Sequence, residues 1–221
     1  MPPRRREKRT DRSKIDATPP WDVKQRDKPG PTTGPYDVLD TPDDGIARID
    51  LGGLRIPASP GLDLRLDVDD GQRVMSVTLV NASGQLQLGL YAAPRNEGIW
   101  DDVRAEIRAS LIEQGGGGKE REDDYFGTEL IGTLKVDGKP TPVRFIGVDG
   151  PRWFLRGMFV GEVATVASKA APFERVLRQI VVVRGSDPLP VREAVPLALP
   201  KEALPRNPDS GFDEDDADGH G

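Results

Sequence analysis

The stretch Leu62-Asp63-Leu64-Arg65-Leu66-Asp67-Val68 alternates aliphatic and charged residues with a period of two. In an extended chain successive side chains point to opposite faces, so the aliphatics gather on one side and the charges on the other. A helix would scatter both sets around its circumference, so the stretch predicts a β-strand with one buried face. Working outward, Asp70-Gly71 suits the positive φ angles of a type I′ turn, and Val74 to Val80 returns with Val74, Val77, Leu79 and Val80. Asn81 to Gly84 predicts the next turn, after which Leu86, Leu88 and Leu90 alternate with Gln85, Gln87, Gly89 and Tyr91. The result is a meander of three hairpin-linked strands. Ahead of it, Ile46 to Leu51 and Leu54 to Ile56, parted by Gly52-Gly53, predict two shorter strands at the sheet margin.

Beyond Pro94, Ile99, Trp100, Val103, Ile107 and Leu111 recur at steps suited to one face of a helix, with Asp102, Arg104, Arg108 and Glu113 between them. The apolar stripe, with Trp100 on it, is expected to lie on the sheet. Gly115 to Gly118 stops the helix and reads as a mobile joint, followed by the fully charged run Lys119 to Asp124. Thr128 to Val136, Val143 to Val148 and Trp153 to Val160, joined by Asp137-Gly138 and Asp149-Gly150, predict a second meander. Phe173, Val176, Leu177 and Ile180 predict a final helix starting near Pro172, with Val181 to Val183 as its last turn or a short terminal strand. Strands, helix, strands, helix with hairpin links define the α+β class: an antiparallel sheet built from two meanders, with two main helices packed on it.

The chain of 221 residues has a net charge of −6 that hides a gradient. Residues 1–28 carry ten Lys/Arg against five Asp/Glu, whereas residues 201–221 carry two against seven. The expected organisation is a disordered basic arm over 1–34, one α+β domain over 35–185, and a Pro-rich then acidic tail over 186–221. Val195, Leu197, Leu199 and Leu204 could still lie extended over the domain. Met1 to Lys28 is basic and polar, unlike a secretory signal, and no apolar run is long enough to span a membrane, which predicts a soluble, cytoplasmic protein.

Gly34-Pro35-Tyr36-Asp37, the strand end Tyr91-Ala92-Ala93-Pro94 before Ile99-Trp100, and Asp149-Gly150-Pro151-Arg152-Trp153-Phe154-Leu155-Arg156-Gly157 carry a resemblance. They resemble an actinobacterial domain-of-unknown-function family, number thirty-seven ten in its series, over about residues 34–200. The order of strands and helices is similar to the Mog1/PsbP group, whose members are mostly adaptors or lipoprotein-like binding modules. The family resemblance implies no activity to carry over.

Cysteine is absent and the single histidine is His220, which excludes disulfides, thiolate metal sites, cysteine nucleophiles and histidine-based triads. Asp101, Asp102 and Glu106 could be imagined as a metal or acid/base set, but interleaved Arg104 and Arg108 make an ordinary solvated helix face the simpler reading. Gly115 to Gly118 follows a helix rather than opening one and lacks the Gly-Lys-Ser/Thr ending of a phosphate loop. Ser110 has no base partner, and Ser168-Lys169 shows no second lysine at productive spacing. No cofactor, metal or catalytic residue is expected.

The strand Arg152-Trp153-Phe154-Leu155-Arg156 is the candidate surface. Arg152, Phe154 and Arg156 share one face in a regular strand, two guanidinium groups around an aromatic ring, as an anionic aromatic ligand or a partner would require. The plainer alternative puts Trp153 and Leu155 under a helix and pairs the arginines with neighbouring carboxylates. Three functions remain. The first is a non-catalytic binding or adaptor module for a protein partner. The second is nucleic-acid association through the basic arm 1–28, and the third an enzyme using only carboxylates and arginines.

Overall fold

The computed structural model describes residues 33–69 and 74–200. The basic arm 1–28, the turn at Asp70-Gly71, Leu204 and the acidic tail lie outside the described residues. The alternating stretch becomes β4 (Asp63–Val68), followed by β5 (Val74–Asn81) and β6 (Gly84–Ala92). The second meander comprises β8 (Gly127–Val136), β9 (Lys139–Gly150) and β10 (Trp153–Gly161), preceded by β7 (Gly118–Asp123). The two meanders join through antiparallel pairing of β10 with β6, running from Trp153 opposite Ala92 to Gly161 opposite Gly84. One seven-stranded sheet results, in the order β4-β5-β6-β10-β9-β8-β7.

The short strands β2 (Arg48–Asp50) and β3 (Leu54–Pro57) do not extend this sheet. They pair with each other and, through β3, with β11 (Val181–Val182), which runs parallel to β1 (Tyr36–Asp37). This separate four-stranded sheet brings the start and end of the domain together. Its inward residues Leu54, Ile56 and Val182 share a core cluster with Val77, Leu86, Leu88, Trp153 and Phe159 of the large sheet. Val181 to Val183 is therefore strand rather than helix end.

Helix α1 (Trp100–Glu113) lies where its stripe predicts, on the other face of the large sheet, over Phe145, Phe154 and Leu130. Helix α2 (Ala167–Gln179) covers the main core with Phe173, Val176 and Leu177. It starts five residues before Pro172, which sits in its second turn. Ala167, Ala170 and Ala171 carry too little apolar bulk to reveal that first turn as periodic. Among the described residues no helix is long and apolar enough to cross a membrane.

Of three turn regions, one forms as expected and two differ in detail. Asp137 (φ 51°) and Gly138 (φ 75°) form the anticipated turn with two positive φ angles. At the next hairpin β9 continues through Asp149-Gly150, and the bend falls at Pro151-Arg152, with Arg152 at φ 63°. Proline before a positive-φ residue is the type II pattern and displaces the Asp-Gly alternative by two positions. The glycine run after α1 is partly structural: Gly115 and Gly116 N–H groups donate to Ile112 and Leu111 carbonyls, closing the helix end. The charged run after it forms edge strand β7, its charges spread over both faces as suits an edge facing water.

Between Arg184 and Pro200 the chain stays on the domain. Ala92 N–H donates to Glu193 O at 2.8 Å and Val195 N–H to Leu90 O at 2.9 Å, and Leu197 bridges both Gly52 and Val74. This strap follows β6 where β5 has parted from it, with Val195 buried and Leu197 and Leu199 packed on the core.

Candidate functional site

Strand β10 crosses the middle of the large sheet, and its alternation sends Trp153, Leu155 and Phe159 to the main core and Phe154, Met158 and Val160 toward α1. Both faces are covered, so Phe154 is buried. Its ring stacks on Trp100 at 5.9 Å between centroids and tilts against Tyr91 at 6.2 Å. Arg156, two residues on, places its guanidinium 5.4 Å from the centre of the Tyr91 ring. Arg152 stands apart from this pair. It occupies the turn, where its carbonyl accepts from Ala93 N–H at 3.0 Å and from Arg184 Nε at 3.1 Å. Of the three candidate residues the structure brings Phe154 and Arg156 together and leaves Arg152 outside.

Beside them lies a pocket of about 120 Å³ with Tyr91, Ile99, Val103 and Phe154 as its apolar wall and Arg156 and Arg192 at its polar side. Arg192 comes from the strap and reaches over α1, with Glu106 at 2.7 Å and Asp102 at 3.7 Å. Glu106 and Asp102 hold its guanidinium above its ordinary pKa. Among the described residues no carboxylate pairs with Arg156. The strap residue Arg192 had no legible role, because it falls in a proline-rich stretch with no periodicity. Tyr91 was legible as the outward member of the Leu86-Leu88-Leu90 alternation and as the start of the Tyr91-Ala92-Ala93-Pro94 stretch, with no role assigned to its ring.

The helix carboxylates do not converge. Asp101 pairs with Arg104 at 2.8 Å, while Asp102 and Glu106 meet Arg192, all at the surface. No group of three or more potential metal ligands occurs among the described residues. Ser110 accepts from Gln114 Nε2 at 2.9 Å, and Lys169 pairs with Glu162 rather than with Ser168.

Two further charged assemblies escaped the sequence. Under α2, Glu129 is fully buried and accepts from Arg144 Nε at 3.0 Å and Arg121 NH2 at 2.7 Å, while Arg144 NH1 reaches Glu174 at 2.6 Å. Burial works against the Arg144 charge, but the hydrogen bonds to Glu129 and Glu174 outweigh it and hold its pKa above the ordinary value. At the Trp153 end of β10, buried Arg184 donates to the carbonyls of Arg152 and Asp187. Burial and the positive charge of Arg152 lower its pKa. Glutamate and arginine carry no periodic signal when buried, so nothing local distinguished these residues from surface charge.

The model of a family described as a protein of unknown function (DUF3710) matches residues 34–206. The chain belongs to this family. The residues that carried the resemblance turn out to touch one another. Asp37 is buried and accepts from Trp153 Nε1 at 2.8 Å, tying the first strand of the domain to β10. Asp149 accepts from Ile99 N–H at 2.8 Å and Trp100 N–H at 3.3 Å, capping α1 from the end of β9. In this chain Asp37 and Asp149 tie the fold together around β10, beside the pocket. A comparison with curated proteins finds no match. Among solved structures, the solution structure of cyanobacterial PsbP (CyanoP) from Synechocystis sp. PCC 6803 is similar at 12% identity, with a TM-score of 0.35. That likeness covers 64% of this chain and 96% of the cyanobacterial one.

Proposed function

We propose that the chain is a non-catalytic binding module that docks a protein partner at the pocket beside α1, taking an apolar side chain that neighbours a carboxylate. The observation that supports this is Arg156: a cation lying on an aromatic ring, without a carboxylate partner among the described residues, at the mouth of an apolar pocket. A volume of about 120 Å³ suits one leucine or phenylalanine side chain and is well below the usual few hundred Å³ of a nucleotide-sized site. Burying one such side chain stabilises a complex by about 1.5–3 kcal/mol, and a charge-assisted hydrogen bond to Arg156 adds a comparable amount. One anchor of this kind supports a weak contact, which a larger partner surface would strengthen.

Selecting peptides from a displayed random library against the full-length chain tests the reading. The expected result is enrichment of sequences with a large apolar residue next to Asp or Glu, whose binding weakens at least tenfold on Arg156→Glu. Enriched peptides without an acidic residue, or equal binding to the Arg156→Glu chain, would contradict it.

A further inference from the structure

Strand β4 is the outermost strand of the seven-stranded sheet, and among the described residues no strand pairs with its outer side. Leu62, Leu64 and Leu66 are half-buried on the core face, whereas Asp63, Arg65 and Asp67 are exposed on the other and Val68 keeps 43% of its surface in water. Leu62 and Leu64 also border an apolar concavity of about 600 Å³. An edge of this kind is a template for another strand. Asp67 accepts from the Ser76 hydroxyl on β5. Asp63 and Arg65 have neither an ion pair nor a side-chain hydrogen bond among the described residues.

We propose that β4 is a homodimer interface, pairing antiparallel with β4 of a second copy about a twofold axis at Leu64. A twofold axis normal to the sheet leaves every side chain on its own face, so only residues an even number of positions apart in sequence can stand opposite each other. Charge decides among the registers this allows. Centring on Arg65 sets Arg65 against itself and Asp63 against Asp67, and centring on Asp63 or Asp67 sets a carboxylate against itself. Centring on Leu66 pairs Arg65 with Asp67 but opposes Asp63 to Asp69. Centring on Leu64 places Asp63 opposite Arg65 of the second copy, and Arg65 opposite its Asp63, with no like charges opposed. The two charges left without partners within the chain become each other's partners across the axis. On the core face the same register sets Leu64 against Leu64 and Leu62 against Leu66, adding apolar neighbours to three half-buried side chains. Charges on an edge strand commonly keep copies apart, whereas these favour one register of pairing over the rest. The pocket beside α1 shares no residue with this edge, so the inference stands independently of it.

Analytical ultracentrifugation of the full-length chain tests the pairing. The native chain should form dimers, and Arg65→Asp, which opposes Asp63 to a second carboxylate, should raise the dimer dissociation constant at least tenfold. Adding Asp63→Arg to Arg65→Asp restores opposite charges about Leu64, whereas about Leu66 it leaves Asp67 facing a carboxylate. The doubly substituted chain should therefore return to within about threefold of the native constant. Arg175→Asp, the same charge change at an exposed position of α2, should also stay within about threefold. A native chain that sediments as a monomer at about 100 μM would overturn the proposal. So would a dimer indifferent to Arg65→Asp, an equal loss with Arg175→Asp, or a doubly substituted chain as weak as the single variant.

Discussion

Trp153 shows how one side chain serves two ends of the chain. Its ring is in the core while its indole N–H donates to Asp37, a buried carboxylate that also accepts from Leu39 N–H at 3.0 Å. Trp153→Phe keeps most of the apolar contact and leaves one carboxylate oxygen without its donor, so chemical denaturation should show a loss of about 1–3 kcal/mol. Trp100→Ala removes the ring stacked on Phe154, and the expected loss is about 3–5 kcal/mol by the same measurement. Asp123 supplies a pH effect. Burial works against its charge, but hydrogen bonds from Phe126 and Tyr125 N–H, with Arg144 and Arg121 nearby, hold its pKa below the ordinary value. A carboxyl depressed on folding contributes stability above its unfolded pKa and loses it as pH falls through the lower, folded value. Acid titration of stability should therefore show a steeper decline below about pH 4 in the native chain than in Asp123→Asn, whose amide oxygen can still accept both N–H groups.

At the scale of elements, α1 is seated by one glycine. A Cβ on Gly147 of β9 would lie 2.2 Å from Trp100 Cδ2, so the helix can sit this close only over a strand position without a side chain. Gly147→Ala should shift the near-ultraviolet circular dichroism of Trp100 while far-ultraviolet strand signal persists. The buried network under α2 predicts a different failure. Arg144→Met leaves buried Glu129 with the half-exposed Arg121 as its cation, and the expected loss is about 3 kcal/mol in chemical denaturation, the low end for breaking a buried pair. These two cases mark the boundary of what sequence alone discloses. The meanders and α1 were legible because Leu62 to Val68 and Ile99 to Leu111 write their periods openly. Edge strand β7 was not, because a strand with charges on both faces has no period. Arg192 and the strap were not, because their pairing with Tyr91 and Ala92 links residues about a hundred positions apart. Phe154 and Arg156 were assigned to one face from alternation, but the cover that α1 lays over Phe154 depends on tertiary packing.

Across the whole molecule, the large sheet is covered unequally. One face lies under α2, the small sheet and the strap, whereas the other carries a single helix whose Val103 and Ile107 are only half-buried. The pocket beside α1 opens at the margin of that thinner cover, where no carboxylate among the described residues pairs with Arg156. In the proposed function this cation reads an acidic residue in a protein partner. Charge reversal tests it most directly, by calorimetric titration of a selected peptide and its Glu-to-Lys counterpart into native and Arg156→Glu full-length chains. Each single reversal is expected to weaken binding at least tenfold, and the double reversal to restore most of it. Independent, additive losses in the double reversal would contradict it.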